Sequence, residues 1–480
     1  MARHYHLIGI GGSAMGSLAG LLKASGHEVT GSDEHVYPPM SDQLRDTGIS
    51  YADGYRAENL DPVPDVIVVG NAISRGNPEL ERVLDERLHY TSAAVVIKEE
   101  FLRGREVVAV AGTHGKTTTA SLVAWLLECA GRKPSFLIGG VAENFGASYR
   151  LTDSEVFVIE ADEYDTAYFD KGPKFWHYLP TVAVVTNVEF DHADIYRDEE
   201  AYRFAFARFM NLVPRNGGLV AGWDSPIARD LASRSIAPVA SFGLEDGGGR
   251  VSDHPHWTVS GAEYGEKETV FDVLHRGRHW GTARTTMAGA FNVLNALAAI
   301  AAADATGASR EGILEGLRTF QSPRRRMEER GTVAGVTVVD DFAHHPTAVR
   351  ATLAAGRQRY PGRRLVAVFE PRSYTAQRKE FQASYQEVLA DADVVVMASI
   401  ARPERYTAET ALSPEEVVAR LAEIGIPAAA LPDADAITAH LAGLLRPGDV
   451  VMVMSNGGFG GIHEKLLAAL ENAAPEAGDG

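Results

Sequence analysis

Short apolar runs alternate along this chain with longer stretches of helical spacing, the pattern of βαβ units laid into parallel sheets. The first unit is a strand over 4–10, a glycine turn and an apolar helix reaching Ser25, with Gly26 placed to stop it. Further strands are predicted over 28–33 and 65–70, and the charged stretch 98–106 reads as a connector. A second unit starts with a strand over 107–111, turns through glycines into a helix over 117–130 closed by Gly131, and continues with strands over 156–161 and 182–188. Segment 217–287 is richer in short alternating runs, such as 268–274, and predicts a separate antiparallel sheet; 288–306 is small and apolar and reads as a packed helix. Pro323 and the run Arg324-Arg325-Arg326 mark a second boundary, after which strands over 336–340, 365–370, 394–398 and 450–454 alternate with helices. The tail 472–480, rich in Ala, Gly and acids, is predicted to fray. The expected fold is α/β in three domains, 1–104, 105–322 and 323–480. The first and last are Rossmann-like. The central one is a phosphate-loop ATPase unit with a parallel sheet plus a small antiparallel sheet.

Composition narrows the classes. A chain of 480 residues, 45% hydrophobic and 23% charged, has the balance of a soluble globular protein and buries several cores. Its one cysteine, Cys129, excludes an internal disulfide and a cysteine-based zinc site and fits a reducing, cytoplasmic compartment. The net charge of −18 argues against a broad nucleic-acid-binding face, while a few local cations and backbone N–H groups suffice for phosphates. Residues 7–22 carry no charge and follow Arg3, as in a secretory leader, but the glycines at 9, 11, 12, 16 and 20 and the following Lys23 weigh against that reading. No run is apolar enough to span a membrane, and no solenoid-period repeat is present.

The strongest motif is Ala111-Gly112-Thr113-His114-Gly115-Lys116-Thr117-Thr118-Thr119, between a predicted strand and helix. Glycines let the backbone curl so that its N–H groups face phosphate oxygens; Lys116 neutralises the β/γ region and Thr117 offers a hydroxyl to Mg²⁺. A strict phosphate-loop pattern needs glycine at position 110, which is Val110. A second glycine turn, Gly9-x-Gly11-x-x-Ala14 with Asp33 at the end of the next strand, matches the dinucleotide-binding pattern and is compatible with NAD or with a UDP-sugar.

Two clusters sit at predicted strand ends, where parallel sheets bind ligands. Glu160-Ala161-Asp162-Glu163-Tyr164-Asp165 offers hard oxygen ligands of the kind Mg²⁺ takes, and Asn187-Val188-Glu189-Phe190-Asp191-His192 places His192 on the same crevice.

Together these motifs resemble those of the Mur ligases over essentially the whole chain. Phe291-Asn292-x-x-Asn295-Ala296, Arg324 to Arg326 and Asp340-Asp341-x-x-His344-His345-Pro346-Thr347 resemble the family's further blocks. The resemblance implies an ATP-dependent ligase whose three domains hold a UDP-sugar, ATP and the incoming amine. ATP would meet Gly112, Thr113, His114, Gly115, Lys116, Thr117, Thr118, Asn292, Asn295, Arg326 and Asp341, with Lys116, Glu160 and His192 catalytic and Mg²⁺ on Thr117, Glu160 and His192. The UDP-sugar would lie on Gly9, Gly11, Gly12, Ser13, Met15, Gly16, Ser32, Asp33 and Asn71, and the peptide on His345, Arg372, Ser373 and Asn456. His345 and His192 are the candidates by type for the base that deprotonates the amine.

Several members carry a carbamylated lysine downstream of the metal histidine; residues 202–208 contain no lysine. That departure, with Val36-Tyr37-Pro38-Pro39-Met40, Glu370-Pro371-Arg372-Ser373 and Ser455-Asn456-Gly457-Gly458, resembles the branches that load UDP-N-acetylmuramate. The implied amine is the tripeptide L-Ala-γ-D-Glu-meso-diaminopimelate, with L-alanine the alternative. Expected partners are small molecules only, with the chain a monomer or weak homodimer and neither nucleic acid nor membrane involved. Two other classes stay open: a nicotinamide-dependent oxidoreductase, from the first glycine turn, and a phosphate-loop switch that hydrolyses ATP slowly.

Overall fold

The computed structural model describes residues 2–34, 36–37, 40–244, 254–407 and 409–473. Pro38, Pro39 and most of the predicted tail lie outside them; Asn472 and Ala473 end the last helix, Ile462–Ala473.

Three large sheets follow one another. The first has five parallel strands in the spatial order Ser50–Asp53, Glu28–Asp33, His4–Ile8, Val66–Val69, Tyr90–Ser92. The apolar stretch that mimics a leader is its middle strand plus the buried helix Ser13–Ala24. The second sheet has ten strands with Glu106–Ala111 near its middle, paired in parallel with Val182–Val185 on one side and Val156–Glu160 on the other. The third has six, with Val336–Asp341, Val450–Met454 and Leu365–Phe369 adjacent and parallel.

Why the central strands read as unbroken apolar runs is visible in their burial. Val107, Ala109 and Ala111 face one core, Val108 and Val110 the other, so both sheet faces are covered. Burying each such valine contributes roughly 1.5–3 kcal/mol, enough to fix register, since a one-residue slip exchanges the faces. Helix Lys116–Cys129 packs between this sheet and helices Ala290–Ala305 and Arg310–Thr319. Gly312 and Gly316 permit the approach: a Cβ on Gly312 would stand 2.5 Å from Ala130 Cα, and one on Gly316 2.7 Å from Leu126.

Two expectations change. Residues 98–102 are no plain connector: helix Ala93–Ile97 runs on as a π-turn, Lys98–Leu102, because Phe101 and Leu102 pull it into the core. Nor is the antiparallel part separate. Gly218–Gly222 and Val239–Phe242 extend the parallel sheet, and of the described residues in 217–287 only Trp257–Tyr264, Thr269–His275 and Arg278–Thr285 pair antiparallel, joined through the Phe242–Trp257 pairing. Burial explains the split. Leu219, Val220 and Ala221 are covered on both faces, whereas Thr269–His275 alternates buried and part-exposed positions.

The first sheet is fastened to the second by its own helix. The Tyr149 ring fills the space above Gly20, and Ser17 Oγ lies 2.8 Å from Ser148 Oγ. Among the described residues, no helix is long and apolar enough to cross a membrane.

Candidate active site

The phosphate loop leaves the C-terminal end of Glu106–Ala111. Its curl requires glycine twice. Gly112 has φ +138° and Gly115 φ +83°, and a Cβ would fall 1.9 Å from Thr186 Oγ1 and 2.4 Å from Asn295 Oδ1, respectively. The neighbouring strand end pins the loop. Thr113 N–H donates to the Asn187 carbonyl (3.0 Å), His114 N–H to Asn187 Oδ1 (2.9 Å), Thr113 Oγ1 to the Glu189 carbonyl (2.9 Å) and Thr186 Oγ1 to the His114 carbonyl (2.6 Å). Behind the loop, Thr119 Oγ1 donates to Asn295 Oδ1, Asn295 Nδ2 to Asn292 Oδ1 and Asn292 Nδ2 to the Ala288 carbonyl, a buried relay from the helix behind the loop to Ala288, which packs in the core of the third domain. Thr118 is buried at the start of the helix.

Lys116 Nζ folds back over the loop, donating to the carbonyls of Gly112 (2.7 Å) and Thr113 (3.2 Å) and to Glu163 Oε1 (2.9 Å). The same carboxylate oxygen is 3.0 Å from His192 Nε2 and 3.4 Å from Tyr202 Oη, while Tyr196 Oη donates to the Glu163 carbonyl. Glu163 is fully buried, and its Oε2 has no partner. Burial pushes this carboxyl up, but Lys116 and His192 outweigh it and hold it below the usual range. Burial likewise lowers the Lys116 ammonium, and Glu163, Asp162 and Glu160 together hold it above its ordinary value. His192 is raised by Glu163 against its burial. Asp162 is bound by Lys174 at 2.7 Å.

Glu160 takes a different place. Thr117 Oγ1 donates to its Oε1 (3.0 Å) and Gly139 N–H to its Oε2 (2.7 Å), so hydroxyl and carboxylate oxygens meet at the mouth of the loop. A hydroxyl and a carboxylate side by side are oxygen donors of the kind a hard divalent cation takes. Of the three expected metal ligands, Thr117 and Glu160 are directly paired, whereas His192 pairs with Glu163. Glu163, grouped by the sequence with the oxygen ligands a metal takes, instead anchors Lys116 and His192. The signal was its place three residues past Glu160, beyond the strand end, where alternation no longer says which way a side chain points.

The third domain closes over this mouth. Glu189 Oε2 is 3.1 Å from His114 Nε2 and 3.7 Å from His345 Nδ1, and its Oε1 accepts from Thr347 Oγ1 at 2.6 Å. Among the described residues, His114, Glu189 and His345 stand close enough to share a cation, and Glu189 Oε1 also accepts from Thr347 Oγ1, so the set joins the central and third domains. Thr375 Oγ1 donates to Asp191 beside His192. Arg326 stacks on Phe342 (4.7 Å) and lines, with Asn292, Met287 and Met327, a cavity of about 160 Å³ between the domains. Asp341 accepts from Met327 N–H, Ala343 N–H and Thr352 Oγ1, organising the turn that carries Arg326. Arg372 lies against Gly457, where a Cβ would be 2.2 Å from its Cδ; Ser373 Oγ accepts from Ala376 N–H; Asn456 Oδ1 is buried without a partner. His345 caps helix Pro346–Arg359 through Nδ1, and its Nε2 is also buried and unpartnered.

At the first glycine turn, Gly9 has φ +86° and Gly11 N–H donates to Asp33 Oδ2 at 2.6 Å. Gly12 offers no side-chain cap to helix Ser13–Ala24, which leaves first-turn N–H groups without an intrahelical partner. Ser32 faces inward: its Oγ donates to Glu79, buried with His6. Met15 is buried, Gly16 abuts Met40, and Asn71 is half-buried just after Gly70 at the end of the neighbouring strand.

Comparison with known proteins decides what this geometry belongs to. Residues 4–103 match the model described as "Mur ligase family, catalytic domain", 110–303 the "Mur ligase middle domain" and 325–457 the "Mur ligase, glutamate ligase domain". The chain is 42% identical over 473 residues to the UDP-N-acetylmuramate–L-alanyl-γ-D-glutamyl-meso-2,6-diaminoheptandioate ligase of Escherichia coli (strain K12), covering 98% of this chain and 99% of that one. The chain belongs to the Mur ligase family. It is therefore an ATP-dependent ligase. A UDP-N-acetylmuramate–L-alanine ligase from Symbiobacterium thermophilum is 36% identical, over 98% of this chain and 96% of its own. The crystal structure of a murein peptide ligase from Psychrobacter arcticus 273-4 superposes with a TM-score of 0.70 at 36% identity, covering 99% of this chain and all of that one.

Proposed function

We propose that this Mur ligase uses ATP and Mg²⁺ to join the α-amine of L-Ala-γ-D-Glu-meso-diaminopimelate to the lactyl carboxylate of UDP-N-acetylmuramate, in the cytoplasm, returning released wall peptide to precursor. The observation that carries it is a phosphate loop whose lysine is held by a buried carboxylate, under a third domain tied down through Glu189 and Thr347, in a chain 42% identical along its length to a ligase named for that reaction. On this reading residues 1–104 hold the UDP-sugar, 105–322 hold ATP and 323–480 hold the peptide.

The chemistry follows from charge. A carboxylate does not accept an amine, because its oxygen is a poor leaving group. One lactyl oxygen therefore attacks the γ-phosphorus and ADP leaves. The amine then attacks the acyl carbon, loses a proton, and phosphate departs with that oxygen. The first step brings two anions together, so cations and positioning dominate. Lys116 supplies one charge, moving from the carbonyls of Gly112 and Thr113 to phosphate. Thr117, Glu160 and His192 would hold Mg²⁺, which neutralises the phosphates when bound. Closure through Glu189 to Thr347 and Asp191 to Thr375 excludes water from the hydrolysable acyl phosphate.

Mass spectrometry of products formed from ATP, Mg²⁺, UDP-N-acetylmuramate and a pool of wall peptides tests the reading. The expected product carries the tripeptide. A product carrying L-alanine alone assigns the chain to the other branch.

A further inference from the structure

Two domains meet in one cluster of imidazoles and a carboxylate beside the phosphate loop. His114 belongs to the loop, Glu189 lies just past strand Val182–Val185, and His345 caps helix Pro346–Arg359 in the third domain. One nitrogen of each ring and a Glu189 carboxylate oxygen all lie within 4.8 Å of one another. Glu189 Oε2 is the hub, 3.1 Å from His114 Nε2 and 3.7 Å from His345 Nδ1, and the ring centroids stand 5.1 Å apart. Tetrahedral ligands about 2.0–2.1 Å from a zinc ion are roughly 3.3 Å from one another. The two contacts made by Glu189 Oε2 are already near that length.

The ligands are held by their surroundings. Thr113 Oγ1 bonds both the carbonyl and the N–H of Glu189, each at 2.9 Å, and His114 N–H donates to Asn187 Oδ1, so the two central-domain ligands are fixed to each other's backbones. Glu189 Oε1 accepts from Thr347 Oγ1 at 2.6 Å, which leaves Oε2 toward the rings, the way a ligating carboxylate is oriented through its other oxygen. His345 is 3% exposed and poorly satisfied. Its Nε2 has no partner, and its Nδ1 has only the 3.4 Å bond from Thr347 N–H. The His114 and Glu189 side chains keep 21% and 40% of their surface exposed, which gives an ion a path in and leaves room for solvent as a fourth ligand.

We propose that His114, Glu189 and His345 form a Zn²⁺ site that ties the third domain to the phosphate loop and slows the ligase by holding it closed. Two imidazoles and one carboxylate suit Zn²⁺, whereas Thr117 and Glu160 offer the oxygen that Mg²⁺ takes, so ligand type sorts the two ions. Because its ligands come from both sides of the interface, the bound ion opposes the parting of domains that product release requires. The site is independent of which amine the ligase joins.

Equilibrium dialysis of the full chain against Zn²⁺ in excess Mg²⁺, without nucleotide, tests the site. One Zn²⁺ per chain is expected. H114A, E189Q and H345A should each weaken it by about tenfold or more, while H192N, which alters the expected Mg²⁺ set, should leave Zn²⁺ affinity within about twofold. H114A and E189Q change part-exposed side chains, so they decide the matter even if H345A fails to fold. Co²⁺ in place of Zn²⁺ should give the strong visible absorption of a four-coordinate ion in wild type and lose it in H114A. In phosphate-release assays with saturating Mg²⁺, Zn²⁺ should slow wild type by about fivefold or more, a chelator should reverse the effect, and H114A should keep most of its own Zn²⁺-free rate. No retained Zn²⁺, Zn²⁺ retained equally by H114A and E189Q, or Zn²⁺ lost from H192N alone overturns the site. Retained Zn²⁺ with an undiminished wild-type rate overturns the closure it is proposed to impose.

Discussion

Lys116 Nζ and Glu163 Oε1 lie 2.9 Å apart with the carboxylate wholly buried, so the phosphate-loop lysine is charged and paired before any nucleotide arrives. Removing one member of a buried pair leaves the other uncompensated, at a cost of about 3–5 kcal/mol. Glu163→Gln should therefore lower the melting temperature by several degrees and weaken ATP binding, because Lys116 and His192 lose a common anchor. Thermal unfolding and nucleotide titration check this; an unchanged melting temperature would show the pair to be incidental.

Lys116→Ala removes the cation that meets the transferring phosphoryl group. Loss of one preorganised charge contact typically costs about 10²–10³ in kcat; because Glu163 is left buried without its cation, the melting temperature should also fall, as in Glu163→Gln, with the chain still folded at the assay temperature. Circular dichroism unchanged alongside collapsed phosphate release is the expected pair of results.

Gly115→Ala would place a methyl carbon 2.4 Å from Asn295 Oδ1 at a φ of +83°. Strain and clash act together, so ATP affinity should fall by at least tenfold, while Gly131→Ala, also at positive φ but with nothing within 4 Å, should leave it alone. Equal effects in the two variants would mean that strain alone, and not the asparagine contact, governs the loop.

Acid should open the clamp. Burial pushes His344 and His345 down to about 4, against an ordinary value of 6.5. Between pH 6.5 and 4 the unfolded chain binds protons that the folded chain refuses, so stability falls as pH drops through that window and is fully present above it. Denaturant unfolding at stepped pH should show a slope approaching two protons, with up to about 3 kcal/mol lost per histidine at pH 4. H345N should remove part of that slope; if it does not, His345 is not buried neutral.

Much of this was legible in the chain. Val107 to Ala111 read as a central strand because both its faces are buried, and Gly112 to Thr118 read as a phosphate loop because those residue types admit few alternatives. What escaped depended on contacts across long separations or beyond strand ends. Glu189 meets Thr347 across 158 positions, which no local pattern encodes. The Glu163 side chain turns toward Lys116 past the point where strand alternation applies. Phe101 and Leu102 were hidden among Lys98, Glu99 and Glu100, whose charge outweighed two apolar residues in a local reading.

Isotope transfer addresses the central claim most directly. UDP-N-acetylmuramate labelled with ¹⁸O in its lactyl carboxylate is incubated with ATP, Mg²⁺, tripeptide and enzyme, and the released phosphate is analysed by ³¹P NMR. One ¹⁸O in phosphate for each amide formed is the expected result. Unlabelled phosphate, or ATP consumed with the labelled sugar untouched, would contradict activation of the sugar acid at this site.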